Sequence, residues 1–456
     1  MDLDSLLDIV EQNGIQLVRF LYCDTSSIIR GKASSAMNLS SALQSGIGLV
    51  KGMMAMNLVD DMQTDTGYGA TGEVRLCPDL ETFRILPYAP SSALVLCDLL
   101  ELDKSPWSLC PRSILKRQIN QYLELGIRFE AAFEPEFFIG KFEEHSCARD
   151  KDKQKELVPI DTSNCFSTDG MNKAGAFIDD FIKALTVQNL TVEQYYPELG
   201  HGQHELSISH APALTAADNH IVYRETLRGV ANLHGLVASM APKPGIDAPG
   251  NGCHLHLSAW DTDTNTNLFY SDNGLSNLGK CFVAGLLRHL PAIVAVTCAS
   301  TNSYRRLKPR AWSSAFTCWG YENREAAIRV PSLYWERELE TANIEVKCVD
   351  SSSNPYLALA VLIAAGMDGV KRKMTPPEPV STDPSTVSAS EAAEKKIERL
   401  PPSLKESCKK LLMDQILIEA LGEEFTRVYL KVKTSEDAHF AKLSPEDEIK
   451  AHLQKF

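Results

Sequence analysis

The sequence has no cysteine pair in C-x-x-C spacing, no glycine-rich phosphate loop ending in Lys-Ser/Thr and no G-x-S-x-G elbow. Its twelve cysteines stand singly. That excludes a disulfide framework and fits reduced, semi-buried thiols in a cytoplasmic chain. The missing phosphate loop, and the lack of a strand–glycine turn–helix fingerprint, set aside the common nucleotide-binding modules. The missing elbow sets aside a Ser/His/Asp hydrolase of that type. Basic residues are in deficit, 46 Lys and Arg against 59 Asp and Glu, for a formal net charge of -13. No non-specific nucleic-acid partner and no anionic membrane surface is expected of such a chain. Leu278 to Thr297 is long and apolar but lacks the uniformity and flanks of a membrane span, so it reads as a buried helix. The opening Met-Asp-Leu-Asp-Ser is acidic, and no secretory leader is expected. No internal repeat is detectable.

What is present is an ordinary globular composition, 44% apolar and 23% charged, over 456 residues. That length calls for two or more domains. Leu3, Leu6, Leu7 and Val10 fall at helical spacing, and Asn13-Gly14 is a stop. Ile15 to Tyr22 reads as a strand. Ile28-Ile29 reads as the return arm of a hairpin closed by Arg30-Gly31-Lys32. Leu39 to Leu49 has a helical pattern despite Gly46 and Gly48. The Met-, Gly- and Asp-rich stretch 50–72 is expected to form a functional loop over a pocket. Short strands follow to Asp98, and Pro106 and Pro111 punctuate a boundary. The division is therefore 1–105, a small mixed domain, and 106–456, a larger domain ending in amphipathic helices. Lys141 to Leu157 reads as a polar, exposed excursion, and 374–390 as a linker.

The chemistry centres on Phe133-Glu-Pro-Glu-Phe-Phe138. In an extended run Glu134 and Glu136 point to one face, because strand side chains alternate. Two carboxylates in an apolar segment need a compensating charge. A partly exposed edge strand, where Pro135 is tolerated, is the bland alternative. Further acid and imidazole groups follow in extended or turn settings: Glu198 and Glu205 around a Gly-x-Gly turn, His254 with His256 and Ser258 on one strand face, and Glu345. An oxygen-rich set with imidazole suits Mg²⁺ or Mn²⁺. The one dense basic stretch, Arg305, Arg306, Lys308 and Arg310, then Arg324 and Arg329, is interleaved with Trp312 and Trp319 and reads as an anion site. Together these suit metal-dependent phosphoryl or hydrolytic chemistry. A metal-free acidic pocket, or unrelated surface and core residues, stand as the other readings.

The ordered motifs Phe-Glu-Pro-Glu-Phe-Phe, Glu198 to Glu205, Lys243-Pro244, Gly250-Asn-Gly-Cys-His-Leu-His-Leu-Ser258, Thr301-Asn-Ser-Tyr-Arg-Arg-Leu-Lys-Pro309, Asn323-Arg-Glu-Ala-Ala-Ile-Arg-Val-Pro331 and Asn354-Pro-Tyr-Leu357 span nearly the whole chain. They resemble glutamine synthetase of the bacterial type I class and its relatives that join glutamate to other amines. The resemblance implies an α+β fold: a small N-terminal β-grasp domain, then a catalytic α/β domain with a curved antiparallel sheet flanked by helices. It implies a dodecamer of two stacked hexamers, with active sites between subunits, and ATP-dependent ligation of the glutamate γ-carboxylate to an amine through a γ-glutamyl phosphate. By position, Glu136, Glu198 and Glu205 would hold one Mg²⁺ or Mn²⁺, and Glu134, His254 and Glu345 a second. Gly250, Arg306 and Lys347 would meet glutamate. Arg324 and Arg329 would stabilise the phosphoryl group in flight, and His256 and Ser258 would lie beside the nucleotide.

The departures from the family pattern concern the amine. Trp312 stands where ammonia-using members carry a closing Glu, and Lys347 stands where they carry Arg. An indole offers an apolar wall and a cation–π face, which suits an amine larger than ammonia. Asp60 or Asp61 is the expected base. The adenylylation tyrosine has no counterpart around Glu398 to Leu404. A γ-glutamyl-amine ligase is the favoured reading, with a true glutamine synthetase and a non-catalytic structural or signalling relative as alternatives.

Overall fold

A computed structural model describes residues 1–145, 154–272 and 274–456. The helix Leu3–Gln12 is capped by Asp2, whose carboxylate accepts from the Ser5 N–H, and ends at Asn13 with Gly14 in the left-handed region. Strands β1 (Leu17–Cys23), β2 (Ile29–Ser35), β3 (Ile47–Val50), β4 (Glu73–Ile85) and β5 (Ser92–Leu100) form one mixed sheet in the order β2-β1-β5-β4-β3. β1 runs parallel to β5 and antiparallel to β2. Arg30-Gly31-Lys32 lies inside β2 and does not close the hairpin. The helix expected over Leu39–Leu49 stops at Ser45, because Gly46 takes φ 68°; the remainder becomes β3.

The larger sheet is built from β6 (Ile127–His145), β7 (Gln154–Pro159), β8 (Val192–Pro197), β9 (Gln203–Ile208), β10 (Ala211–Pro212), β11 (Val237–Ser239), β12 (Cys253–Asp261), β15 (Trp319–Tyr321), β16 (Ile328–Val330) and β17 (Ile344–Val346); β13 (Tyr270–Ser271) and β14 (Gly274–Leu275) pair apart. Its main path is β15-β16-β17-β12-β6-β9-β8, antiparallel except for the edge pair β15 and β16. β6 is central, not an edge. It pairs with β12 up to Pro135 and with β9 over Glu136 to Phe138. Pro135 thus sits where the strand changes partner, so its missing N–H breaks no continuous ladder. Of the excursion expected over Lys141–Leu157, 141–145 and 154–157 belong to the arms of β6 and β7; the positions between lie outside the described residues.

Period-two alternation decides which face does what. On β6, Phe129, Ala131, Phe133, Phe137 and Ile139 are buried in the core. Phe129 packs near Phe282 of the helix Asn277–Thr297, Phe133 stacks on His220 of Ala213–Leu233, and Phe137 meets Phe181 of Thr168–Val187 edge-on. Each such buried ring contributes roughly 1.5–3 kcal/mol. Helices therefore cover one face, while Glu130, Glu134 and Glu136 project from the other. The helix Asn277–Thr297 has the length and composition of a membrane span, but most of it is buried inside the fold.

The β1–β2 turn of the smaller sheet docks on the helices of the larger domain. Asn354 donates to the carbonyls of Cys23 and Asp24, and Arg224 to that of Ser27. The stretch 50–72 is pinned to the helix Glu423–Phe440: the Leu58 N–H donates to Glu436 at 2.9 Å, and Arg427 to the Thr66 carbonyl at 2.8 Å. It covers neither cavity described below. The eleven cysteines among the described residues are all free.

Candidate active site

On the uncovered face of the large sheet two cavities adjoin. One, of about 400 Å³, is bordered by His256, Ser258, Tyr334 and Asn343. The other, of about 1030 Å³, is bordered by Glu136, Glu198, Gly250, His254 and Trp312. They share Glu134, Gln194, Tyr196, Arg324 and Arg329. Glu205, Arg306, Glu345 and Lys347 also line the larger one. Every candidate site residue therefore lines one cavity or the other, except Asp60 and Asp61; Trp319, read with the basic stretch, is buried away from both, its indole N–H donating to the Pro377 carbonyl. Asp60 is paired with Arg30 at 2.7 Å, and Asp61 is exposed on the pinned loop.

Strand alternation explains the convergence. Glu134 and Glu136 from β6, Glu205 from β9, His254 and His256 from β12, Arg329 from β16 and Glu345 from β17 all occupy the face opposite the helices. Register places His254 across from Glu134 and His256 across from Glu345. The structure gathers Glu134, His256 and Glu345 so that one donor atom of each lies within 4.8 Å of the others. His254, the imidazole expected from the motif, stands instead between the two acid groups. Its Nδ1 is 3.3 Å from Glu345 and its Nε2 4.0 Å from Glu136. His256 holds Asn343 through Nδ1 at 2.8 Å. Its buried Nε2 is 3.2 Å from Glu134 but is not aligned for a hydrogen bond.

The carboxylates differ in how their charge is met. Burial pushes Glu136 up to about 7, with Arg306 opposing and Glu198 reinforcing. Glu205 is raised well above the ordinary range by burial and then by Glu134 and Glu136. Burial likewise raises Glu198. Glu345 goes the other way: against its complete burial, Lys347, then His254 and His256, hold it well below the usual range. Glu134 is also lowered, burial being outweighed by the neighbouring His256. Each buried, unmatched carboxylate costs several kcal/mol. Three clustered acids that favour protonation are a donor set short of positive charge, which divalent cations fit.

Polar contacts fix the acids in place. Gln203 donates to Glu136 at 2.8 Å and to the Gly250 carbonyl at 2.9 Å, and Tyr196 donates to Glu205. Arg329 pairs with Glu345, and Lys347 reaches its other oxygen at 3.2 Å. Arg306 is buried, its guanidinium donating to the Lys347 and Val349 carbonyls. A Cβ on Gly252 would come within 2.7 Å of Arg306, 2.9 Å of Glu136 and 2.9 Å of His254. The site is packed around the space of that absent methyl.

Arg324 and Arg329 at the junction of the cavities and the clustered carboxylates match the family suggested by the motifs, and comparison with known proteins decides the matter. The profile of the glutamine synthetase catalytic domain matches residues 108–452, and that of the glutamine synthetase N-terminal domain matches residues 4–107. The chain belongs to the glutamine synthetase family. It is 34% identical over 447 residues to the gamma-glutamylpolyamine synthetase GlnA3 of Streptomyces coelicolor, covering 97% of this chain and 94% of that one. It is 32% identical over 446 residues to the glutamine synthetase of Methanocaldococcus jannaschii, covering 96% and 94%. Among solved structures, one described as a novel glutamine synthase homolog superposes with TM-score 0.84 at 31% identity, covering 97% of this chain and 99% of that one. A GmaS/ADP complex superposes with TM-score 0.82 at 26% identity, covering 98% and 99%. As a member of this family the chain is an ATP-dependent ligase with the family's α+β fold.

Tyr196, Gln203, Asn343, Glu325 and Phe166 were not assigned roles from the sequence. A signal existed for Gln203, which stands two residues before Glu205 and so shares its strand face. None existed for Glu325, whose carboxylate accepts the Trp312 N–H at 2.9 Å from thirteen positions away.

Proposed function

We propose that this protein joins the γ-carboxylate of glutamate to a primary amine larger than ammonia, using ATP and Mg²⁺ or Mn²⁺. The observation that carries the reading is Trp312, exposed on the wall of the larger cavity that Arg306, Glu198 and Glu205 also line. A glutamate γ-carboxylate oxygen attacks the γ-phosphorus of ATP, forming the acyl phosphate and releasing ADP. The amine nitrogen then attacks the acyl carbon, the carbon–oxygen bond to phosphate breaks, and the ammonium proton passes to a base. Glu136, Glu198 and Glu205 would hold one cation. Glu134, Glu345 and an imidazole would hold the second, and His254, standing between Glu345 and Glu136, is our assignment for it. Bound there, the cations would neutralise and orient phosphate oxygens.

The remaining roles fall to side chains already placed. Arg306, with Gly250 and Lys347, binds the glutamate carboxylate. Arg324 and Arg329, at the junction of the cavities, stabilise the phosphoryl group in transfer. His256 and Ser258 face the nucleotide. Asp60 or Asp61 serves as base across a subunit boundary, since neither reaches this chain's own cavity. That assignment goes with the dodecamer of stacked hexamers and sites between subunits. The division at 105, the lack of a nucleic-acid or membrane partner and a reducing, cytoplasmic setting complete the reading.

The test is phosphate release with ATP, Mg²⁺ and glutamate across ammonia, methylamine, ethanolamine, isopropylamine and putrescine. Preference for a larger amine is expected. Preference for ammonia would instead support the plain synthetase named among the relatives.

A further inference from the structure

Two aromatic residues share an unusual backbone. Phe166 takes φ 57° and Trp312 takes φ 50°, and they are the only aromatic residues with positive φ among those described. For a bulky side chain this region is strained, and structures keep such strain where a site uses it. Burial does not explain it here: Phe166 is 60% exposed and Trp312 59%. Both line the larger cavity, from separate loops. Each is tethered through its own N–H, Phe166 to the Pro197 carbonyl at 2.9 Å and Trp312 to Glu325 at 2.9 Å. The Phe166 ring stands edge-on to Tyr196, centroids 5.0 Å apart, and Tyr196 in turn donates to Glu205.

We infer that Phe166 is a specificity-determining residue, and that with Trp312 it supplies two aromatic faces for the hydrocarbon chain of a primary alkylamine or polyamine. The inference rests on the larger-amine reading above and adds a residue to it. An ammonium near an aromatic face gains cation–π attraction, and the methylene chain behind it gains apolar contact. Ammonia, having no chain, draws nothing from the second ring.

Phe166→Gly removes the ring and, because glycine accepts positive φ, relieves the backbone. The expected result is an unchanged or higher melting temperature with a fall of at least about tenfold in the ratio of kcat/KM for the preferred amine to kcat/KM for ammonia, taken mainly in the amine KM. Phe166→Tyr restores the ratio. Three outcomes overturn the inference. The ratio could stay constant in Phe166→Gly. Both substrates could be lost equally, with a lower melting temperature, which makes the ring structural. Or the ratio could hold while gel filtration shows the assembly falling apart, which makes the ring a contact between copies. Wild-type protein that prefers ammonia to every amine in the panel overturns the parent reading and this one together, so the two failures are told apart before any variant is made.

Discussion

The two walls of the larger cavity are built on opposite plans. One is a sheet face: Glu134, Glu136, Glu205, His254 and Glu345 project from β6, β9, β12 and β17, with aromatic rings packed on helices directly behind. The other is made of loops, where Trp312 sits in a run with positive φ at 310, 312 and 314 and Phe166 precedes the helix Thr168–Val187. Rigid strands hold charges that must stay fixed through phosphoryl transfer, and loops carry the part that changes with the substrate. A family that keeps one reaction while varying the amine fits this division.

The largest effect is expected on the sheet wall. Glu136→Gln should reduce phosphate release by about 10²–10³-fold, the usual cost of losing one electrostatic contact in a transition state. In metal-free protein the same variant should be more stable. Glu136 has its folded pKa raised from 4.5 to about 7 by burial. Its ionisation therefore opposes folding increasingly from about pH 4.5 and fully above about pH 7. Melting temperatures measured in chelator across pH 4–8 check this: the gain should be absent at pH 4 and complete at pH 8. An unchanged turnover would break the comparison at its firmer side.

A smaller and more selective effect is expected on the loop wall. Trp312→Glu should move the amine-to-ammonia ratio of kcat/KM toward ammonia by about tenfold, equivalent to about 1.4 kcal/mol. The KM for ATP should stay where it was. If the ATP KM moved as much as the amine KM, the two walls would not be separable.

The smallest effect lies beneath both walls. His289 bridges Asp368 at 3.1 Å and Asp414 at 2.7 Å in the helical layer. Despite burial, those carboxylates hold it above its ordinary 6.5. A raised histidine contributes stability that is fully present below about pH 6.5 and is lost as pH rises through the folded value. His289→Gln should lower the melting temperature most at pH 6, with the gap narrowing toward pH 9 and amine selectivity untouched. Thermal unfolding at the two pH values reads it.

The sheet wall was legible in the sequence because alternation is a local rule: once Phe133–Phe138 and Cys253–Ser258 are extended, the facing of their acids and imidazoles follows. Pro135 misled the edge-strand alternative because its meaning depends on β12 and β9, which meet β6 from different parts of the chain. His256 joins Glu134 and Glu345 through register, which spacing within one strand does not reveal. The stretch 50–72 has a loop-like composition, yet its position is set by Glu436 and Arg427, more than 350 residues away. Phe166 was silent for the same reason. A phenylalanine in a polar run gives no sign of a left-handed backbone.

Gly252 bears on how such proteins change over long times. Arg306, Glu136 and His254 all end at the space its missing side chain would fill, and the atoms there are side-chain tips, not backbone. One added methyl would displace three functional groups and leave the two sheets, the helical layer and the outer surface as they are. A lineage could therefore pass from catalyst to folded bystander through a single codon change. The boundary between an enzyme of this family and an inert copy of it is, at this position, one carbon atom wide.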